Sequence, residues 1–316
     1  LRILQIAPNH ETVPPQRDGG TERVIYDLTQ ELSLRGHDVI LYAPPGSSVS
    51  GSVIHYPFVG DYQISSYVSE TLPNGIDIIH DHTFDSAISR IGVNIPMVHT
   101  IHLPVHNSVH FPVYVSRSAW ETIGGRNGWY VHNGIVLDDY QFSHEKDDYL
   151  LFMGRLIREK GIIEAMDLAE TTGQRLIIAG PPHDEELFLQ EITPRLKQNP
   201  LLKYVGPVGG TIRQDLLKHA KCLLFPIQWD EPFGLVLIEA LACGTSVLAL
   251  GKGAVPEILE QFPQMMCGSL TEMTHKLLHN NAPYSPEELR KYVGEQFSRS
   301  KMTDDYLWIY QKAMNQ

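Results

Sequence analysis

The sequence predicts an α/β protein built from two doubly wound domains, and three observations carry that expectation. Apolar runs of strand length alternate with amphipathic segments of helix length, the order that produces a parallel sheet with helices on both faces. The 316 residues exceed what one core usually holds, so two domains of about 150 residues each are expected. Residues 138–148 are polar and lack an apolar period, and a new strand starts at 149, which places a hinge in that stretch.

Residues 2–7 read as the first strand, followed by a Pro- and Gly-rich loop, a helix over 21–35 and a strand over 38–42. Further strands are expected at 52–56, 76–79, 97–100, 112–115 and 128–131, with helices between most of them. Beyond the hinge the alternation resumes with strands at 149–153, 175–179, 202–205, 222–225 and 246–250. Ser285-Pro286, a cap followed by a first-turn proline, opens a helical tail. No internal repeat or low-complexity segment interrupts this order. In such sheets ligands bind outside the carboxyl ends of the strands, so the site is expected in the crevice between the domains.

Composition bounds the function. A hydrophobic content of 42% supports packed cores, and a formal charge of −12 argues against nucleic acid and against broad adsorption on anionic membrane. Cys222, Cys243 and Cys267 lie in apolar surroundings without metal-ligand spacing, as expected of reduced core thiols in a cytoplasmic protein. No apolar run reaches the roughly 20 residues of a spanning helix, and no basic-then-apolar signal region opens the sequence. Residues 1–149 hold eight Lys or Arg against 17 Asp or Glu, together with 11 of the 15 histidines. That acidity disfavours a phospholipid partner held by a basic surface and is easier to reconcile with a neutral sugar or small polar ligand.

The most informative stretch is Glu231-Pro232-Phe233-Gly234-Leu235-Val236-Leu237-Ile238-Glu239. Its two carboxylates are eight positions apart, just over two helical turns, and fall near one face if a helix covers both. Pro232 suits a first turn, and Phe233, Gly234 and Leu235 then offer backbone N–H groups where the helix dipole is positive. One carboxylate is placed to accept from sugar hydroxyls and the other from a ribose diol. The plain alternative is a capped amphipathic helix with a stray Glu, an arrangement made costly by an unpartnered buried carboxylate. Arg155 and Lys160 bracket the turn after the strand at 149–153. A guanidinium fork and an ammonium converging there suit the charge of a nucleoside diphosphate, whereas the alternative is a solvated helix start. No Asp-x-Asp pair stands nearby, so no metal is expected and cationic side chains take its role.

Glu231 and Glu239, with Gly154-Arg155-Leu156-Ile157-Arg158-Glu159-Lys160-Gly161 upstream and Gly19-Gly20-Thr21-Glu22-Arg23 near the start, resemble the motifs of family-four retaining glycosyltransferases of the GT-B fold. The likeness in pattern and order covers nearly the whole chain. It implies domains at 1–140 and 141–300, with a last helix near 301–316 crossing back to the first. It further implies transfer of a sugar from a nucleotide diphosphate donor to a hydroxyl acceptor with retention, the leaving phosphate helping to deprotonate the acceptor. A UDP-sugar such as UDP-glucose is the first expectation for the donor and GDP-mannose the second.

Gly19 and Gly20 precede the first helix, where the missing Cβ atoms allow close approach to a diphosphate; a plain turn capped by Thr21 is the alternative. Gly180 and Val208 match positions where relatives touch the nucleotide through backbone, while Asn133-Gly134-Ile135 matches a structural turn. Among His80, His82, His99, His102, His106 and His110, a metal cluster is disfavoured by Pro104 and Pro112, and His80 and His99 read as satisfied strand residues. His102 matches the family's active-site histidine at a strand's carboxyl end and is expected to hydrogen-bond the transferred sugar. His82, placed at the start of the helix after the strand at 76–79, and His106 are expected on the acceptor side. Two other classes stay open: a noncatalytic nucleotide-sugar or glycan-binding partner, and a nucleotide-sugar epimerase of the same fold.

Overall fold

The computed structural model describes residues 1–16, 19–105, 108–279 and 283–315. The chain divides into two compact units, one formed by Leu1–Val136 with Phe297–Gln316 and the other by Leu137–Gln296. The division falls at the front edge of the polar stretch 138–148, which belongs to the second unit.

The first unit contains β1 (Arg2–Ile6), α1 (Gly20–Leu34), β2 (Asp38–Ala43), β3 (Ser52–His55), α2 (Ile64–Thr71), β4 (Ile78–Asp81), β5 (Met97–Ile101), β6 (Pro112–Tyr114), α3 (Arg117–Thr122) and β7 (Trp129–Tyr130). Its described residues form one seven-stranded parallel sheet in the order β3-β2-β1-β4-β5-β6-β7. Parallel strands are covered on both faces, which is why they read as apolar runs: Ile3, Leu4, Ile6, Leu41, Tyr42, Ile78 and Ile79 are fully buried. The order reverses between β1 and β4, and the carboxyl ends of these two strands mark the switch point.

The second unit runs β8 (Leu150–Met153), α4 (Ile162–Thr172), β9 (Leu176–Ala179), then α5 (Glu185–Leu187) through a π turn (Phe188–Ile192) into α6 (Thr193–Gln198). It continues with β10 (Leu202–Gly206), α7 (Gly210–His219), β11 (Cys222–Phe225), α8 (Leu235–Ala242), β12 (Val247–Leu250), α9 (Val255–Ile258), β13 (Met266–Cys267), α10 (Leu270–His279) and α11 (Pro286–Gln296). The sheet is parallel in the order β10-β9-β8-β11-β12-β13, with its switch point between β8 and β11. The two-residue edge strand β13 is too short to carry a period, and sequence reading passes over it.

The expected helical tail is broken at Phe297-Ser298. A final helix, α12 (Arg299–Met314), starts on Ser298, whose hydroxyl accepts from the Lys301 amide. The chain re-enters the first unit there. Ile135 N donates to Phe297 O at 2.9 Å and Arg299 N to Ile135 O at 2.8 Å, so the Asn133-Gly134-Ile135 turn pairs with this connector. Arg299 then meets Glu31 at 2.8 Å, fastening α12 to α1.

Candidate active site

The donor-type residues gather at the carboxyl ends of β8 and β11. Lys160 closes the short turn Arg158–Lys160 after β8, and Glu231 lies in the loop between β11 and α8. Gln228 N donates to Glu159 O at 2.8 Å, tying the two loops together. Glu231 is 8% exposed, and its backbone is clamped by the turn at Gly253. Gly253 has φ +58, and a Cβ there would stand 2.3 Å from Glu231 N, so only glycine closes the turn. Glu231 Oε2 accepts from Lys160 Nζ at 2.5 Å and from Trp229 Nε1 at 2.8 Å. The ammonium also lies 5.3 Å above the Trp229 ring. The other oxygen, Oε1, takes no hydrogen bond from a described residue, which leaves it able to accept from a hydroxyl.

The expectation of one helix carrying both carboxylates is overturned. Helix α8 begins at Leu235 behind Gly234, which has φ 90, so Pro232 and Glu231 belong to the loop rather than to a first turn. A left-handed residue cannot continue a helix backwards, and the glycine therefore sets the start. No side chain caps that end, and the buried Phe233 anchors the entry. Glu239 sits inside α8, 7% exposed, with Oε1 accepting from the Tyr140 hydroxyl at 2.9 Å and Oε2 from Arg213 at 2.5 Å. Each carboxylate thus has its own cation. A carboxylate offers about four lone-pair sites, so two are left at Glu239 for a diol.

Arg155, one residue beyond the Gly154 that follows β8, is half-buried; among the described residues it forms no ion pair. Gly180, after β9, is fixed by packing: a Cβ there would fall 1.8 Å from Gly154 O, so the ends of β8 and β9 touch backbone to backbone. Val208 is half-buried in the turn before α7. In the first unit Gly19 caps α1 and Gly20 opens it. Glu22, buried in that first turn, has its carboxyl raised to about 7, chiefly by burial.

Sequence reasoning missed Trp229, Tyr140 and Arg213. Trp229 was within reach, two residues before Glu231, but nothing local distinguishes Tyr140 or Arg213.

The histidines separate into two sets. His80 and His99 are satisfied strand residues: His80 lies between Tyr310 and Thr100, and His99 Nδ1 stands 3.2 Å from Asp81 Oδ2. His102 directly follows β5. Its Nε2 meets His82 Nδ1 at 3.0 Å, and His82 Nε2 meets Gln5 Oε1 at 2.6 Å. His82 is a correction: no helix begins there, the residue is fully buried, and it stands behind His102 instead of lining an open wall. His106 lies outside the described residues. Burial pushes His102 down to about 3 and holds His80 and His82 well below the usual imidazole range, with the neighbouring histidines adding to the effect at those two. Among the described residues no group of three or more His, Cys, Asp and Glu is placed to hold a metal ion.

Acid stability follows from these histidines. Each takes up a proton in the unfolded chain near pH 6.5 but not in the fold, so stability is full above about 6.5 and falls as the pH drops below it, toward about 3 for His102. Glu22 acts oppositely, holding its proton in the fold below about 7, so it offsets one of three histidines. With three histidines against one carboxyl, a net loss of stability is expected as the pH falls below about 5.5. Denaturant titrations at stepped pH check this, and a flat profile between pH 7 and 5 would contradict it.

The family model described as "Glycosyltransferase Family 4" matches residues 18–133, and that described as "Glycosyl transferases group 1" matches residues 138–275. A phosphatidyl-myo-inositol mannosyltransferase of Mycobacterium tuberculosis is 26% identical over 310 residues, covering 82% of this chain and 80% of its own. Among solved structures, AviGT4, a glycosyltransferase involved in avilamycin A biosynthesis, is similar with a TM-score of 0.84 and 25% identity, covering 100% of this chain and 98% of its own. Anabaena HepE in complex with UDP-glucose has a TM-score of 0.79 at 15% identity, covering 98% of this chain and 99% of its own.

Proposed function

Because the chain belongs to the glycosyltransferases of group 1 and family four, built on the GT-B fold, we propose that it moves a hexosyl group from a nucleotide diphosphate sugar to a hydroxyl acceptor, with retention and without a metal. The observation that carries this reading is the Lys160–Glu231–Trp229 cluster beside the uncapped start of α8, with the Glu239–Arg213–Tyr140 cluster a turn further along. In this reading Lys160, Arg155 and the amides of Phe233, Gly234 and Leu235 meet the diphosphate, and Glu239 accepts from the ribose diol. Glu231 Oε1 accepts from the sugar, while Gly180 and Val208 approach the nucleotide through backbone. Lys160 already neutralises Glu231, so its charge is shared when a phosphate arrives and is drawn further toward the phosphate as the glycosidic bond breaks.

His102, held neutral, hydrogen-bonds the transferred sugar. Gly19 and Gly20 line the diphosphate approach, where burial raises the Glu22 carboxyl to about 7 and so lessens its like-charge repulsion. A UDP-sugar is the first donor choice, in keeping with the UDP-glucose complex of the structural neighbour. GDP-mannose is second, favoured by the mycobacterial relative's being a mannosyltransferase. The acceptor is a neutral glycan or small polar molecule, on the acidity of residues 1–149.

Incubation with each donor and an acceptor panel in EDTA tests the reading. Nucleoside diphosphate release with a glycoside of the donor's anomeric configuration is expected; an inverted product, or a new donor isomer without acceptor, would reject it. Within this scheme Glu239→Gln is expected chiefly to raise the donor's KM, since a ribose contact is made alike in ground and transition states. Glu231→Gln is expected to lower turnover. Equal effects of both variants on both parameters would refute that division.

A further inference from the structure

A continuous chain of hydrogen bonds runs from His102 back to the last helix of the first unit. Beyond His82 and Gln5, the Gln5 amide nitrogen donates to the Tyr310 hydroxyl at 3.2 Å, and that hydroxyl meets His80 Nδ1 at 2.7 Å. His80 Nε2 meets Thr100 Oγ1 at 2.6 Å, and Thr100 meets the Tyr306 hydroxyl at 3.0 Å. Gln5, His80, His82, Tyr306 and Tyr310 are all 0% exposed. The register explains the assembly: Gln5 on β1 is paired with His80 on β4, so both project from one face, and α12 brings Tyr306 and Tyr310, four residues apart, onto the same cluster.

The chain has a direction. A neutral imidazole has one N–H and one lone pair, so a group that donates at one nitrogen accepts at the other, and a row of them admits two proton arrangements, each the reverse of the other. The Gln5 amide decides between them. Its oxygen accepts from His82 Nε2–H, and its nitrogen donates to Tyr310. The second decision agrees with the first: Tyr310 is a phenol, a stronger acid than a neutral imidazole N–H, and so donates to His80 Nδ1. With its proton on Nε2, His82 presents a lone pair at Nδ1, and His102 must donate Nε2–H to it.

We propose that Gln5, Tyr310 and His80 are positioning residues that fix His102 as the Nε2–H tautomer, so that its Nδ1 lone pair accepts a hydrogen bond from a hydroxyl of the transferred sugar. The proposal rests on the reading of His102 as the sugar-binding histidine. Its new content is that the chain's last helix, more than 200 residues further along, sets the hydrogen-bonding sense of that group.

The test combines nitrogen-15 NMR of the histidine side chains, which reports tautomers without turnover, with kcat and the donor's KM. Wild type is expected to show the Nε2–H form at both His82 and His102. Tyr310→Phe removes the clamp on the amide, mixing the tautomers and lowering kcat by about tenfold while the donor's KM stays within about twofold. Gln5→Met, which removes the amide alone, carries the same expectation and serves if Tyr310→Phe does not fold. Tyr306→Phe leaves Thr100 able to accept from His80, and both tautomer and kcat should hold within about twofold. A merely structural role for the two buried hydroxyls predicts equal behaviour of the two tyrosine variants. An Nδ1–H form of His102 in wild type, or unchanged tautomers in both Tyr310→Phe and Gln5→Met, overturns the relay. A tautomer change with unaltered kcat overturns the sugar contact instead, so the two failures are told apart.

Discussion

Replacing Lys160 and Arg155 together by alanine is expected to cost on the order of 3 kcal/mol or more of transition-state stabilisation, a fall of roughly 150-fold or more in kcat/KM. The charge on the departing diphosphate grows as the glycosidic bond breaks. In the proposed metal-free reading, these two cations and the start of α8 are the groups that would carry its stabilisation. Lys160 contributes twice, because it also neutralises Glu231 at 2.5 Å in a site where the two side chains are 16% and 9% exposed. Removing one partner of so buried a pair leaves the other uncompensated, so Lys160→Ala is expected to exceed Arg155→Ala and to lower the unfolding midpoint as well. Combining Lys160→Ala with Glu231→Gln separates the effects: it restores the midpoint but not turnover, since the two residues touch and their effects do not add. Steady-state kinetics with a thermal melt on each variant measures this. A double alanine variant with near-normal kcat/KM would show that the cations do not meet the leaving group.

His102→Ala is expected to keep nucleotide binding within about twofold and to lose about a hundredfold or more of turnover. The Lys160 and Glu239 clusters assigned to the diphosphate charge and the ribose lie in the second unit, whereas His102 follows β5 of the first and is assigned to the sugar alone, so binding energy for the nucleotide is expected to survive its removal. A contact to the sugar that strengthens as positive character develops acts on kcat instead. Burial keeps the imidazole unprotonated to about pH 3, so turnover is not expected to show a His102 limb between pH 5 and 8. Single-turnover transfer by the variant, compared with its nucleotide affinity, checks the expectation. Normal transfer would remove His102 from the chemistry.

Most of the fold was legible because buried parallel strands are apolar along their whole length. Nearly every expected strand lies within a residue or two of an observed one, whereas β13, with two residues, has no period to read. Lys160, Glu231 and Glu239 were legible as residue types at telling positions. Their partners were not: Lys160 meets Glu231 across 71 residues and Tyr140 meets Glu239 across 99, and such contacts form only when the sheet brings loops together. Pro232 misled because a proline suits a first helical turn, yet the left-handed Gly234 two residues later delays the helix. His82 was expected at the start of a helix on the acceptor side, but it follows β4 directly and no helix begins there. Its buried position is set by Gln5, His80 and His102, which come from three different strands or strand ends, and Tyr310 of α12 reaches it only through His80 and Gln5.

The most direct test of the central claim, a metal-free donor site for a nucleotide sugar, is a thermal-shift titration of the wild-type chain with UDP-sugars and GDP-mannose in EDTA. One of these donors, at 100 times its dissociation constant, is predicted to add about 2.7 kcal/mol of stability, and the addition of magnesium or manganese is predicted to leave the shift unchanged. No stabilisation by any nucleotide sugar, or stabilisation that appears only with the divalent cation, would contradict the claim.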